Sequence, residues 1–234
     1  MSQTAKQSNV MLVTIALFVA TFMAAIEGTI VSTAMPTIVG DLHGVALMNW
    51  VFSIFLLTNA IATPIYGKLA DSIGRKPMFI GGITIFIFGS VMSGLSHSML
   101  VLIIWRAVQG IGAGSILPIS NTIIADIYPL EKRAQVLGLN SSAWGIASVI
   151  APLLGGFIVD QLSWHWIFFI NLPMLIVMIL VQLYFHEEKR QTKSKMDVGG
   201  TCWLTIMLLA IMYAFQLVGQ SPINWKIVAS CFLE

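Results

Sequence analysis

Seven long apolar runs divide this chain, at residues 11–34, 47–66, 77–96, 98–124, 136–159, 166–185 and 198–218. An eighth begins at Trp225 and is cut off at Glu234, so the chain reads as a fragment of a longer polypeptide. About 20 apolar residues in helical form cross a hydrocarbon core roughly 30 Å thick. Backbone groups inside lipid must find partners within their own segment, so the runs are predicted to be helices rather than strands. Polar residues collect between the runs, and the longest such stretch is His186–Met196. The pattern predicts an all-α, polytopic transmembrane bundle. Residues 1–185 form a six-span unit, 186–197 a cytoplasmic linker, and 198–234 span 7 with the start of span 8.

Composition supports this reading and excludes a soluble globule. Hydrophobic residues make up 57% of the chain, charged residues 9%, and mean hydropathy is +0.89. Soluble domains carry about 25% charged residues. The cations also set an orientation. Lys6, Lys68, Arg75, Lys76, Lys132, Arg133, Lys189, Arg190, Lys193 and Lys195 fall on one side of the predicted bundle. The opposite loops, 36–46 and 160–165, contain no Lys or Arg. The positive-inside rule therefore places the N-terminus in the cytoplasm. The net charge of +2 reflects those cytoplasmic loops and not a nucleic-acid surface. A signal peptide at residues 1–27 is disfavoured, because its apolar core runs on into further spans. Cys202 and Cys231 are too few and too far apart for a metal site or a disulfide framework.

Two ionised groups lie where lipid would be. Glu27 is about 24 Å into span 1, counting from Met11 at roughly 1.5 Å per residue. A charge near mid-bilayer costs on the order of 2.5–3.5 kcal/mol by insertion scales, so it needs a reason to be there. A buried carboxyl is suited to taking up and releasing protons, and its alternative is a purely structural partner for a cation. Arg106 in span 4 lies about 12 Å from the outer boundary, within a turn or so of Glu27 in depth. Gln109 is near it on the same side. Arg106 begins an i, i+4 stripe with Gly110, Gly114 and Pro118, and the two glycines allow another helix close. In span 5 a face of Gly138, Ser141, Ser142, Gly145, Ser148, Pro152, Gly155 and Gly156 predicts a tight helix–helix seam, with a bend at Pro152.

The third constellation is the charge-dense turn from Gly67 to Lys76, between spans 2 and 3. Asp71 and Arg75 are four residues apart and pair if the segment is helical. Gly74 permits the chain reversal. Asp126 and the Glu131–Arg133 cluster share its cytoplasmic side, which suggests a network with Arg75. His43, His97, His165 and His186 all fall at loops or span ends and read as interface residues. Spans 2 and 5 share a faint echo, Pro64 to Gly67 to Asp71 against Pro152 to Gly155 to Asp160, as an inverted three-plus-three repeat requires. No nucleophile–base pair, phosphate loop or metal-ligand spacing appears, so neither enzymatic chemistry nor a bound cofactor is expected.

Several of these stretches resemble motifs of the major facilitator superfamily of secondary transporters. The turn Gly67-Lys68-Leu69-Ala70-Asp71-Ser72-Ile73-Gly74-Arg75-Lys76 is similar to the signature loop of that superfamily. Ile26–Pro36 looks like the span-1 motif of drug:proton antiporters, with Glu27 where the usual acid is Asp. Trp105–Gly112 is similar to the span-4 motif associated with proton coupling. Gly138 and Ala151–Gly156 resemble the antiporter motif of span 5, with Ala147 and Ala151 at positions usually Gly. Trp164–Pro173 and the short linker before Asp197–Gly200 resemble the fourteen-span drug-exporter branch, with His165 where Arg is common.

The resemblance implies a proton-coupled exporter of lipophilic or cationic small molecules, powered by the proton gradient and working by alternating access. It implies a multi-pass protein of a bacterial cell membrane, in contact with lipid, small-molecule substrate and protons, and needing a C-terminal half to transport. Glu27 and Arg106 take the proton-coupling role. Gly67, Asp71, Gly74, Arg75, Lys76 and Asp126 take conformational gating, and Gly138, Pro152, Gly155 and Gly156 take helix packing. A transporter of a metabolite such as a sugar, peptide or siderophore, and a membrane scaffold or sensor, remain alternative readings.

Overall fold

A computed structural model describes residues 9–187, 199–200, 203 and 206–211. Most of the predicted linker, span 7 and the start of span 8 lie outside the described residues. Eight helices make up the described bundle: α1 (Val10–Leu42), α2 (Met48–Ile73), α3 (Arg75–Gly94), α4 (Met99–Ala113), α5 (Ile116–Ile127), α6 (Leu130–Gln161), α7 (Trp166–Phe169) and α8 (Met174–Tyr184). Among the described residues six segments are long and apolar enough to cross a membrane, with α4–α5 forming one and α7–α8 another. They match the first six predicted spans.

The helices run past the apolar runs that announced them. α1 continues through Pro36 to Leu42, and α6 starts at Leu130, six residues before the predicted span. The cytoplasmic turn is also shorter than the ten residues expected. α2 remains helical through Gly67, Asp71 and Ile73, α3 begins at Arg75, and Gly74 alone makes the reversal at φ +122°. An L side chain is strained at that φ, so this is a position that glycine suits.

Two spans are broken where the pattern predicted continuous helices. Span 4 breaks at Gly114–Ser115, where the Ser115 hydroxyl donates to the Gly112 carbonyl at 2.8 Å. Span 6 breaks between Phe169 and Met174. Pro173 lacks an N–H and disfavours helical geometry at the residue before it, which accounts for the interruption.

Packing follows a two-fold logic. α1 packs on α6 and on α8, and α4 on α2 and on α3. Exchanging the first three spans with the last three maps each of these pairings onto another. That is the packing an inverted three-plus-three repeat predicts. α1 and α4 correspond under the exchange and touch narrowly, at the level of their ionised groups.

The expected seam on α6 is not made within the described bundle. The buried face of that helix is Asn140, Ala143, Ala147, Ala151, Gly155 and Ile158, directed at α1. Gly155 belongs to it, and a Cβ there would lie 3.0 Å from Ile30 Cγ1. Gly138, Ser141, Ser142, Gly145, Ser148 and Pro152 are exposed, and an added Cβ at Gly138, Gly145 or Gly156 meets nothing within 4 Å. α6 continues as helix through Pro152. The tight seams lie elsewhere: Gly82 and Gly89 of α3 face α4–α5, Gly112 of α4 faces α3, and Gly110 and Gly114 face α2.

Candidate functional site

Glu27 is fully buried on α1 and forms an ion pair with Arg106 of α4, which is 1% exposed. One carboxylate oxygen accepts from Arg106 Nη1, and the other accepts from Asn171 Nδ2 at 2.6 Å. Arg106 is held from several sides. Its Nη1 also donates to Gln109 Oε1 at 2.9 Å, one helical turn along α4. Its guanidinium carbon lies 4.1 Å from the centroid of the Phe55 ring, a cation–π distance, so α2 contributes the platform.

The Asn171 amide continues the network. Its Nδ2 donates to Ser90 Oγ at 2.9 Å, and the Ser90 hydroxyl donates to the Phe168 carbonyl at 2.7 Å. Asn171 sits in the break of span 6, where the chain is free of regular helical geometry and the side chain reaches the bundle centre. Five spans thus meet around one carboxylate. Breaking such a buried pair by removing one partner costs about 3–5 kcal/mol, because a lone charge remains. Replacing both partners by apolar groups is often neutral, so stability alone does not explain the pair.

Depth matching in the sequence anticipated Glu27, Arg106 and Gln109. It did not give Asn171 or Ser90 a role. Asn171 directly precedes Leu172-Pro173 inside an apolar run, and that proline was the available signal. Asp41 was also passed over. It accepts from the Trp164 indole N–H at 2.7 Å and ties the end of α1 to the loop before α7.

His165, in that loop, titrates below the ordinary histidine value of 6.5. Partial withdrawal from water is the main cause; Asp41 opposes the depression and His97 adds to it. The unfolded chain therefore takes up this proton first on acidification. Stability from this group is full above about 6.5 and falls as the pH drops toward the lower folded value. The thermal midpoint of purified protein should decline across that window, and His165→Gln should show a shallower decline. Parallel midpoint-versus-pH curves for the two proteins would count against it.

At the cytoplasmic end the structure brings Arg75 and Asp126 together as an ion pair between α3 and α5. Asp71, one turn earlier, is exposed and makes no ion pair with Arg75. Glu131 is also exposed. Glu187, not anticipated, accepts from the backbone N–H groups of Arg75 at 2.6 Å and Lys76 at 3.1 Å. Lys76 Nζ donates to the carbonyls of Gln182 and Phe185 at 2.6 and 2.8 Å. The start of α3 and the end of α8 therefore cap each other with charges of the sign each helix terminus favours. The Arg75 and Asp126 side chains are 19% and 30% exposed, and pairs at that exposure are worth about 0–1 kcal/mol. Such a pair opens at little cost.

An apolar groove of about 520 Å³ lies between α2 and α3, lined by Ile61, Ile65, Leu69, Met78 and Ile85 among others. Neither Glu27 nor Arg106 lines it.

Comparison with known proteins bears on what the arrangement does. The family model described as Major Facilitator Superfamily matches residues 17–233. Multidrug resistance protein 3 of Bacillus subtilis (strain 168) is 40% identical over 219 residues, covering 93% of this chain and 43% of the relative. Multidrug transporter protein MdtP of the same organism is 38% identical over 231 residues, covering 97% of this chain and 43% of the relative. The chain thus spans less than half the length of these curated relatives. Among solved structures, the human organic anion transporter MFSD10 (TETRAN) superposes with a TM-score of 0.68 at 14% identity, covering 96% of this chain and 60% of that one. That likeness concerns the fold alone.

Proposed function

The chain belongs to the major facilitator superfamily, and from that premise we propose that it forms the first bundle of a proton-coupled exporter of lipophilic or cationic small molecules. The observation that carries this reading is the carboxylate of Glu27, buried in the bundle and held by Arg106 of the repeat-related helix. Such a carboxyl exchanges a proton without leaving its site, and the fixed guanidinium beside it responds to the change of charge. The names of the curated relatives, multidrug resistance and multidrug transporter proteins, support export of drug-like compounds.

In this mechanism Glu27 takes a proton from the outer side, and its neutral form loosens its hold on Arg106. Substrate leaves outward in that same outward-open state, the bundle then reorients against its partner bundle, and Glu27 returns its proton inward. Arg75 and Asp126, with Asp71 and Lys76 beside them, latch the cytoplasmic face, and Gly67 and Gly74 shape that turn. The low worth of an exposed pair suits a latch that must open in every cycle. Gly138, Pro152, Gly155 and Gly156 line α6, with the first two and Gly156 turned toward whatever covers that face in the longer transporter. The protein belongs in a bacterial cell membrane and uses no cofactor beyond the proton gradient.

The test uses full-length protein in proteoliposomes, with a cationic dye inside and an imposed pH gradient. Dye movement that tracks the gradient and collapses with a protonophore is expected. Dye movement indifferent to the gradient would sink the coupling.

A further inference from the structure

We propose that Asn171 is a positioning residue that serves Glu27 in both of its protonation states by turning its side-chain amide. The inference rests on the proton-coupling reading above and adds the partner that the protonated acid needs. The starting point is a mismatch in the network. As a carboxylate, Glu27 faces two donors, Arg106 Nη1 and Asn171 Nδ2. Once protonated, a carboxyl group carries an O–H that must find an acceptor, and a buried orphan donor costs about 1–3 kcal/mol.

The acceptors nearby are mostly occupied. Gln109 Oε1 already receives Arg106 Nη1, and the Phe168 carbonyl receives the Ser90 hydroxyl. Asn171 Oδ1 is different: it is buried, belongs to a side chain 1% exposed, and has no hydrogen-bond partner. A half-turn of the amide about Cβ–Cγ exchanges Oδ1 for Nδ2 between Glu27 and Ser90. The proton on Glu27 Oε2 then donates to Asn171 Oδ1, and the Ser90 hydroxyl rotates to donate to the same oxygen. Three hydrogen bonds are lost, those from Asn171 Nδ2 to Glu27 and to Ser90 and that from the Ser90 hydroxyl to the Phe168 carbonyl, and two are formed; the Phe168 carbonyl keeps the backbone N–H of Asn171 at 3.3 Å. No bond to a heavy atom breaks, and the proton that binds is the one carried in the cycle.

The position of Asn171 makes this turn useful. It lies in the break between α7 and α8, so the amide's two orientations place different demands on the segment joining them. Ser90 of α3 is held by the same amide. Protonation at α1 is thereby passed to spans 3 and 6, which carry no ionised group near Glu27 among the described residues.

Infrared difference spectroscopy between acid and alkaline pH tests this, on full-length protein in lipid nanodiscs with carbon-13 in the asparagine side chains. Wild type should show a protonated-carboxyl band that Glu27→Gln removes. It should also show an isotope-sensitive asparagine C=O band moving to lower wavenumber on protonation. That asparagine signal should vanish in Glu27→Gln and in Asn171→Leu. In Asn171→Leu the carboxyl band should move to higher wavenumber, and turnover at saturating dye should fall severalfold with KM unchanged. A carboxyl band without any asparagine change, or one unmoved in Asn171→Leu, overturns the role of Asn171 and leaves Glu27 coupling intact. Absence of the carboxyl band itself overturns the coupling reading, and this inference with it. If Asn171→Leu does not fold, the isotope measurement on wild type decides alone.

Discussion

Glu27→Gln should abolish efflux driven by a pH gradient, with no gradient-dependent dye movement above protein-free vesicles. The substitution keeps the side chain's size and one of its two acceptor oxygens, puts an NH2 donor in place of the other, and removes the capacity to cycle a proton. It also leaves the Arg106 guanidinium buried without a counter-charge, at a cost of about 3–5 kcal/mol. Lost efflux could therefore reflect lost protein. Pairing it with Arg106→Met separates the two causes. The double variant removes both charges, and with them the uncompensated buried guanidinium that makes the single variant costly. It should recover the folded yield lost in Glu27→Gln and remain uncoupled. Gradient-driven efflux at the wild-type rate in folded Glu27→Gln would remove this residue from the mechanism.

The pair at the centre of that experiment was legible before any coordinates, because charge inside an apolar run is rare and the two groups matched in depth. The six spans were legible for the same reason: lipid demands runs of a given length and composition. What escaped was whatever lipid does not penalise strongly. Asn171 is uncharged and lies two residues before a proline inside a run that read as one continuous span, so nothing marked it as the interior of a broken one. The break at Gly114–Ser115 was hidden because small residues suit a continuous helix in a crowded bundle as well as a kinked one.

The α6 face shows a different limit. Three- and four-residue spacing marked out Gly138, Ser141, Gly145, Ser148 and Pro152, and the periodicity is real. Yet a 32-residue helix has two sides, and spacing does not say which neighbour each side meets. Alanines at 143, 147 and 151 are small enough to bring α1 close, so that interface formed without the glycine-rich stripe. Ala147 and Ala151, read as departures from a motif, are the contact itself. The cytoplasmic turn has a similar explanation. Charge density suggested a loop, but Gly67 to Ile73 stays helical, because polar residues end the membrane's apolar demand without ending the helix.

Gly112→Val should produce the largest loss of folded protein of any single substitution at the helix seams. A Cβ at Gly112 would fall 2.3 Å from the Phe86 backbone nitrogen and 2.7 Å from the Gly82 carbonyl oxygen. Both are main-chain atoms of α3, so no side-chain rotation relieves the overlap and the two helices must separate. Ordinary overpacking costs about 1–3 kcal/mol, and a contact against backbone on a seam this close belongs above that range. The α3–α4 interface also holds Arg106 and Ser90 at the carboxylate, so separation would disturb the site together with the fold. Gly138→Val supplies the control. It makes a comparable change on a helix of the same bundle, where an added Cβ meets nothing within 4 Å. The readout is the thermal midpoint of a fluorescent fusion by size-exclusion chromatography, with monodisperse yield beside it. Gly112→Val should lose most of its monodisperse peak; in the half-bundle of residues 1–187, Gly138→Val should stay near wild type. Equal midpoints for the two variants in that half-bundle would mean that the α3–α4 seam is looser than its glycines imply. A Gly138→Val defect confined to the full-length transporter would instead locate that face at the boundary between bundles.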